Sequence, residues 1–475
     1  MKSSRAFSIR VLIRGLIATC ALALAGAGWA AEQFFGIFLQ GERIGYMSSA
    51  SSAVPGGTRS VLVTKIQAKL LGADTRMEIL SDSLSDAKGR MLEMSFVMRS
   101  GGREQKVVAR VTGAKLSVAR TSADSKEEKT LAIPGDGFLV DDPMIEALKN
   151  VNLTPGTRKK FLSFDPSALA IIENTLVYKG KEKLNHKGKS YDAIHFVIED
   201  PRADSDLFLD SSGNMIVSRS LFGMEMMPIT REEATGNPGY MPSVDLATAT
   251  RVVPNKPIGN ARGSKSVTLK MSGKVSTRLK SDAQQTVTRT GGVVTLSVHP
   301  VRGSAASAST VAEVSKKQPQ FLKQVDLIPS GDDKFVRLAT SLVRGEKNAF
   351  LASKKIARAV YGMMKPNASI AVIRDASEIL RTKEGVCRDY AILACTLMRA
   401  AGIPTKLVTG AVYAEGAFYY HAWVEAWTGK SWVPLDPTMD GGFDATHIKF
   451  CEGNPETALV IFTLDGVKID VITVR

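Results

Sequence analysis

At 475 residues, with 44% hydrophobic and 23% charged side chains, the chain carries enough apolar mass for more than one core. That balance excludes global disorder, and the length excludes one ordinary domain, so two or three are expected. The formal net charge is +15, yet no nucleic-acid-binding motif accompanies it, and nucleic acid is not expected as a partner.

Lys2, Arg5, Arg10 and Arg14 precede a short apolar run at 16–28, which closes on Gly28-Trp29-Ala30. This is the pattern of a signal peptide, residues 1–30, removed after Ala30; the run is short for a retained membrane anchor. Thr19 before Cys20 argues against a lipid-modified cysteine. No later stretch is long and apolar enough to span a membrane, so an exported protein of the periplasm or cell surface is expected.

From 31 to 245 the chain reads as strand after strand. Residues 35–40 and 43–46 flank a turn at Gly41-Glu42, and 60–66, 91–98, 106–111 and 115–120 alternate apolar with polar side chains. Ser212-Gly213-Asn214 marks another hairpin turn. One helix is predicted over 143–150. The expected fold here is a large, mainly antiparallel β domain. Residues 246–302 add a few strands, among them 267–271 and 293–298, as a small β connector. Nine Lys or Arg residues between Arg251 and Arg289 face only Asp282. They are either a solvated sheet face or a dock for an acidic partner such as an anionic cell-envelope component. The Ser-Ala-rich stretch 303–320 reads as a linker.

The periodicity turns helical in the C-terminal domain, 321–475. Asp332 and Asp333 open a helix with Phe335, Leu338, Ala339 and Leu342 on one face, stopped by Gly345. Ile356, Ala357, Val360 and Met364 mark the next, before Pro366. Asp375 with Glu378 forms a capping box for a short third helix. A fourth opens at Gly385-Val386-Cys387-Arg388-Asp389-Tyr390-Ala391 and stops at Gly402. Cys387 thus falls in a first helical turn. A helix N-terminus lowers a thiol's pKa from its usual value of about 8.5, and its unpaired N–H groups are placed to stabilise an oxyanion.

Residues 418–427 and 431–435 read as a hairpin closed by Gly429-Lys430. That register sets Trp427 opposite Trp432 and Trp423 opposite Asp436. His421 and Trp423 share a face, so Asp436 lies diagonally across from His421, within reach of its ring. The predicted catalytic residues are Cys387 as nucleophile, His421 as base and Asp436 as the group that orients it.

Of the mature chain's three cysteines, Cys395 reads as core, and a Cys395–Cys451 bridge has no support from the sequence. Trp423, Trp427 and Trp432 pack across the hairpin, with Trp423 also placed to wall the cleft. No metal or cofactor is predicted. His421 and Glu425 lie roughly 13 Å apart along a strand, and His447 completes no compact ligand cluster. Asp204, Asp206 and Asp210 lack the glycine and terminal glutamate of a calcium loop, and His186, His195 and His299 read as structural.

The blocks at 385–391, Arg399-Ala-Ala-Gly-Ile-Pro, His421-Ala-Trp-Val-Glu-Ala-Trp and Trp432-Val-Pro-Leu-Asp-Pro-Thr resemble, in order and spacing, the signature of the transglutaminase-like superfamily. The N-terminal strands are similar to sheet modules of exported bacterial proteins of this type. The resemblance implies an α+β papain-like domain with Cys387, His421 and Asp436 in the three catalytic roles. The expected function is acyl transfer from a carboxamide or peptide bond of a protein or peptide substrate, through a thioacyl intermediate resolved by water or an amine. The alternative is a non-catalytic cell-envelope scaffold using the same fold.

Overall fold

The computed structural model describes residues 32–475 apart from 124–125, 136, 142–152, 202–203, 238, 274–278, 371, 441 and 459–463. The signal peptide expected at 1–30 and the helix expected at 143–150 lie outside the described residues. The chain divides into two compact units between Ala249 and Thr250. Among the described residues, no helix is long and apolar enough to cross a membrane.

The N-terminal unit is built on one fourteen-stranded sheet. Strands β1 (Gln33–Leu39) to β8 (Lys126–Ala132) run outward in sequence order. Strands β9 (Arg158–Asp165) to β14 (Met224–Ile229) run back, and β14 closes on β1. The pairings are antiparallel, so short local turns suffice to connect neighbours. Period-two patterning decides which side is covered: in Arg103–Thr112, Gln105, Val107 and Ala109 are buried while Glu104, Lys106, Val108 and Arg110 are exposed. Leu184, Ala193, Phe208, Val217 and Met227 form one apolar cluster of this unit. Two of the aspartates weighed for calcium have other partners. Asp206 bonds His195 at 2.7 Å, and Asp210 caps a turn through the N–H groups of Ser212 and Asn214.

The C-terminal unit starts with β15 (Val267–Ser272), β16 (Gln285–Thr290) and β17 (Val293–Val298). Residues 303–320, expected as a linker, are tied down: Ser309 N–H donates to Thr428 O, and Val311 N–H to Lys347 O. Helices α1 (Asp333–Val343) and α2 (Ala349–Met363) follow, burying Phe335 and Ala339, then Ile356, Ala357 and Val360. Strand β18 (Lys365–Pro366) pairs in parallel with β19 (Glu384–Gly385) around α3 (Ala376–Thr382), whose first turn is capped by Asp375 accepting from Glu378 N. Next come α4 (Cys387–Ala400) and a sheet of β20 (Thr405–Ala414), β21 (Ala417–Trp427), β22 (Trp432–Leu435) and β23 (Ile448–Gly453), ordered β22-β21-β20-β23. After the turn at Asp465-Gly466, β24 (Lys468–Val474) pairs with β15 across most of its length. The C-terminal strand therefore completes the sheet of the β connector, covering an edge that three local strands leave open.

Every residue of α4 from Cys387 to Arg399 is buried, so it is enclosed by α1, α2, α3 and the sheet rather than packed by one stripe. Its ions need partners there. Arg399 donates to Thr405 O, Lys323 O and Asn454 Oδ1. Arg388 donates to Val372 O and Asp389 Oδ1.

Gly410 stands opposite His421 on β20 beside a bulge. A Cβ there would lie 1.8 Å from Ile448 O and 2.7 Å from the Trp423 ring, neither of which is free to move away. Gly410→Ala is therefore expected to destabilise the protein by about 3 kcal/mol, the scale of core overpacking. Urea unfolding measures it; a loss within experimental error contradicts this reading of the bulge.

Candidate active site

The N-terminus of α4 is fixed by a buried ion cluster. Asp389 Oδ2 accepts from Val386 N at 2.9 Å, closing the first turn on the residue before Cys387. Arg374 lies 3.1 Å from the same oxygen and also donates to Glu384 O and Thr382 Oγ1. Burial alone would raise the Asp389 pKa; Arg388 and Arg374 outweigh it and hold the carboxylate below its usual range. A Cβ on Gly385 would lie 2.4 Å from Asp389 Oδ2, so glycine is what lets this carboxylate sit against the backbone.

The hairpin supplies the other two residues. Trp427 pairs with Trp432 and Val424 with Leu435, the register expected from the Gly429-Lys430 turn. This puts His421 and Asp436 on one face, where His421 Nε2 and Asp436 Oδ2 are 2.6 Å apart. Asp436 Oδ1 accepts from Thr438 N at 2.8 Å and Thr438 Oγ1 at 2.7 Å, which orients the carboxylate. Cys387, His421 and Asp436 are all fully buried. Burial alone would push His421 down, but Asp436 and then Cys387 raise it to about 9. Burial likewise works against an ionised Asp436; His421 and His447 overcome it and hold Asp436 far below the usual carboxylate range. Asp436 occupies Nε2, and among the described residues Nδ1 has no hydrogen-bond partner, so Nδ1 is the ring nitrogen left to serve Cys387. Of the three residues singled out from sequence, the structure pairs His421 with Asp436, and Cys387 acts on the same imidazole ring.

Cys387, Cys395 and Cys451 are thiols, with no disulfide among them. Cys395 is core as expected. Burial pushes its pKa up, and its Sγ points to Thr405 O. Trp423 stacks on His421 at 6.2 Å between ring centroids and meets His447 edge-on at 5.2 Å. It therefore packs against both histidines, and Trp427 packs against Trp432 across the hairpin.

The structure corrects one expectation. His447 does complete a compact cluster: His421, Asp436 and His447 offer donor atoms within 4.8 Å of one another. The geometry is that of proton sharing, because two ligands on one tetrahedral zinc are separated by about 3.3 Å, whereas His421 Nε2 and Asp436 Oδ2 are 2.6 Å apart. Glu425 lies elsewhere, against Gln284 and Lys449. Arg374, Asp389, Asp444 and Arg262 were not predicted as parts of the site. Only Asp389, three residues after Val386, carried a local signal.

A cysteine opening a buried helix against a His–Asp pair on a hairpin defines a papain-like thiol domain. Residues 336–437 match the model of the transglutaminase-like superfamily, and this segment is a transglutaminase-like domain. Among curated proteins the chain is 31% identical to "Uncharacterized protein Rv2569c" of Mycobacterium tuberculosis and 37% identical to "Uncharacterized protein ML0607" of Mycobacterium leprae. In each case 17% of this chain and 31% of the relative are covered, so the chain spans about a third of the length of the curated relatives it matches. A solved structure from Cytophaga hutchinsonii described as a "Putative Cysteine Protease" is similar at 16% identity and a TM-score of 0.31, covering 45% of this chain and 84% of that one.

Arg374→Met would leave Asp389 buried with one cation fewer. The expected loss is about 3–5 kcal/mol, the cost of breaking a buried ion pair. Chemical unfolding measures it, and a neutral result would show that Arg388 alone sustains the turn.

Proposed function

We propose that this protein is an exported thiol enzyme that transfers an acyl group from a carboxamide or peptide bond by way of a thioester on Cys387. The observation that carries the reading is the pairing of Nε2 of His421 with Asp436 while Nδ1 is left for the thiol. In this mechanism Sγ of Cys387 attacks the carbonyl carbon and the carbon–nitrogen bond breaks. His421 gives its proton to the departing amine or ammonia. Water or an amine then attacks the thioester, passing its proton to His421 and releasing Cys387. Asp436 stays ionised throughout and fixes the ring. In the first turn of α4, Val386 N–H goes to Asp389, and the N–H groups of Asp389 and Tyr390 go to Val386 O. Among the described residues no partner takes the N–H groups of Cys387 and Arg388, which leaves them for an oxyanion.

The substrate class proposed is a protein or peptide in the cell envelope. The basic stretch supports an acidic partner, since Arg251, Lys256, Lys265, Lys270 and Lys280 are exposed. Because all three reacting side chains are buried, covering atoms must move before a carbonyl reaches Sγ.

The test compares wild type with Cys387→Ala on glutamine-containing peptides, with and without a primary amine, read by mass spectrometry. Deamidation, cleavage or amine incorporation should appear with wild type and fall by at least ~10³-fold in the variant. Wild type and Cys387→Ala that are equally inert here, and equally able to restore the phenotype of a deletion strain, would sink the enzyme reading in favour of the scaffold.

A further inference from the structure

The carboxylate that orients His421 carries a second histidine. His447 Nε2 lies 3.3 Å from Asp436 Oδ2, the oxygen that also meets His421. On its far side, His447 Nδ1 lies 3.2 Å from Asp444 O and 3.4 Å from Asp444 Oδ1. Asp444 Oδ1 in turn accepts from Thr446 N and Thr446 Oγ1, at 2.8 and 2.5 Å. Asp444 Oδ2 pairs with Arg262, which also donates to Tyr413 O at 2.7 Å. His447 and Asp444 are buried, while the Arg262 side chain is 45% exposed. The rest of the His447 surround is aromatic, with Phe443 stacked at 4.0 Å and Trp423 edge-on.

With acceptors at both ring nitrogens, His447 donates twice, which only the imidazolium form does. Burial alone would drive it neutral; Asp444 and Asp436 raise it to about 9. The charges then alternate from the surface inward: Arg262, Asp444, His447, Asp436, His421.

We propose that His447, Asp444 and Arg262 form a positioning arm that sets how strongly His421 holds its proton, by sharing the charge of Asp436. The proposal rests on the reading of Asp436 and His421 as base and orienting group. A second cation on the same carboxylate oxygen competes for its lone pairs and adds its own repulsion to a proton on the first ring. The two rings are 5.7 Å apart between centroids, close enough for an imidazolium at His447 to disfavour protonation of His421 as well. The arm thus holds His421 below the basicity that Asp436 alone would confer, and nearer to the range in which a general base works. Among the described residues, the titratable groups facing His421 are Asp436 and Cys387, those facing His447 are Asp444 and Asp436, and the two rings face each other.

The test is a histidine-selective NMR titration of the mature protein, whose five histidines include His421 and His447. Resonances are assigned with His421→Gln and His447→Gln. In wild type both rings should lose their protons near pH 9. In His447→Gln, His421 should titrate about one unit higher. In Asp444→Asn, which keeps the side-chain shape, His447 should fall and His421 should rise. A purely structural His447 would lower the unfolding temperature and leave His421 unmoved. An unmoved His421 in His447→Gln overturns the proposal, as it does in Asp444→Asn should the first variant not fold. The triad reading fails by a different result: an ordinary His421 pKa in wild type, with a Cys387 alkylation rate that His421→Gln does not change.

Discussion

A fully buried carboxylate persists as an anion only where its surroundings replace water, and the candidate site is organised around meeting that demand at Asp436. Its two oxygens take bonds from Thr438 N, Thr438 Oγ1, His421 and His447. Those bonds constrain the neighbourhood. The hairpin must close with two residues, because a slip of one would carry Asp436 to the opposite face from His421. Trp423 must lie over a residue without a side chain, which is Gly410. The segment after β22 must turn at once to bring Thr438 back to the carboxylate.

Much of this was legible before any coordinates, because it is local. Two residues between Thr428 and Ser431 fix the register of β21 and β22, and the side-chain period of two then places His421 beside Asp436. The start of α4 was similarly visible in the glycine, the cysteine and the aspartate that follow one another from 385 to 389. The strands of the N-terminal sheet showed as alternation, since each buries one face.

What stayed hidden depends on elements distant in sequence. Helical spacing named one apolar face of α4, yet enclosure on all sides also buries Arg388, Asp389 and Arg399, whose partners come from Val372, Arg374, Thr405 and Asn454. The pairing of β24 with β15 joins strands almost 200 residues apart along the chain, with no turn to announce it. His447 was weighed as a metal ligand and set aside because no compact ligand cluster shows in the sequence. It reaches the site because Asp444 and Thr446 shape the loop that leads into β23.

The site is more than a sheet that tolerates charge. Glu425 and His421 both lie on β21, and Glu425, like Asp436, is almost fully buried with a cation beside it. Burial nevertheless pushes Glu425 up to about 7 despite Lys449, and among the described residues one of its oxygens has no hydrogen-bond partner. Lys449 also serves Glu452 and Asp282, so Glu425 holds only a share of one positive charge. At Asp436 the ratio is reversed, with one carboxylate between two imidazole rings and every oxygen bonded. Two buried acids, one on β21 and one just past the end of β22, are therefore displaced in opposite directions by the count and aim of their partners. The one driven low belongs to the residues that would carry the chemistry, and the one driven high links the β connector to the sheet beneath the site.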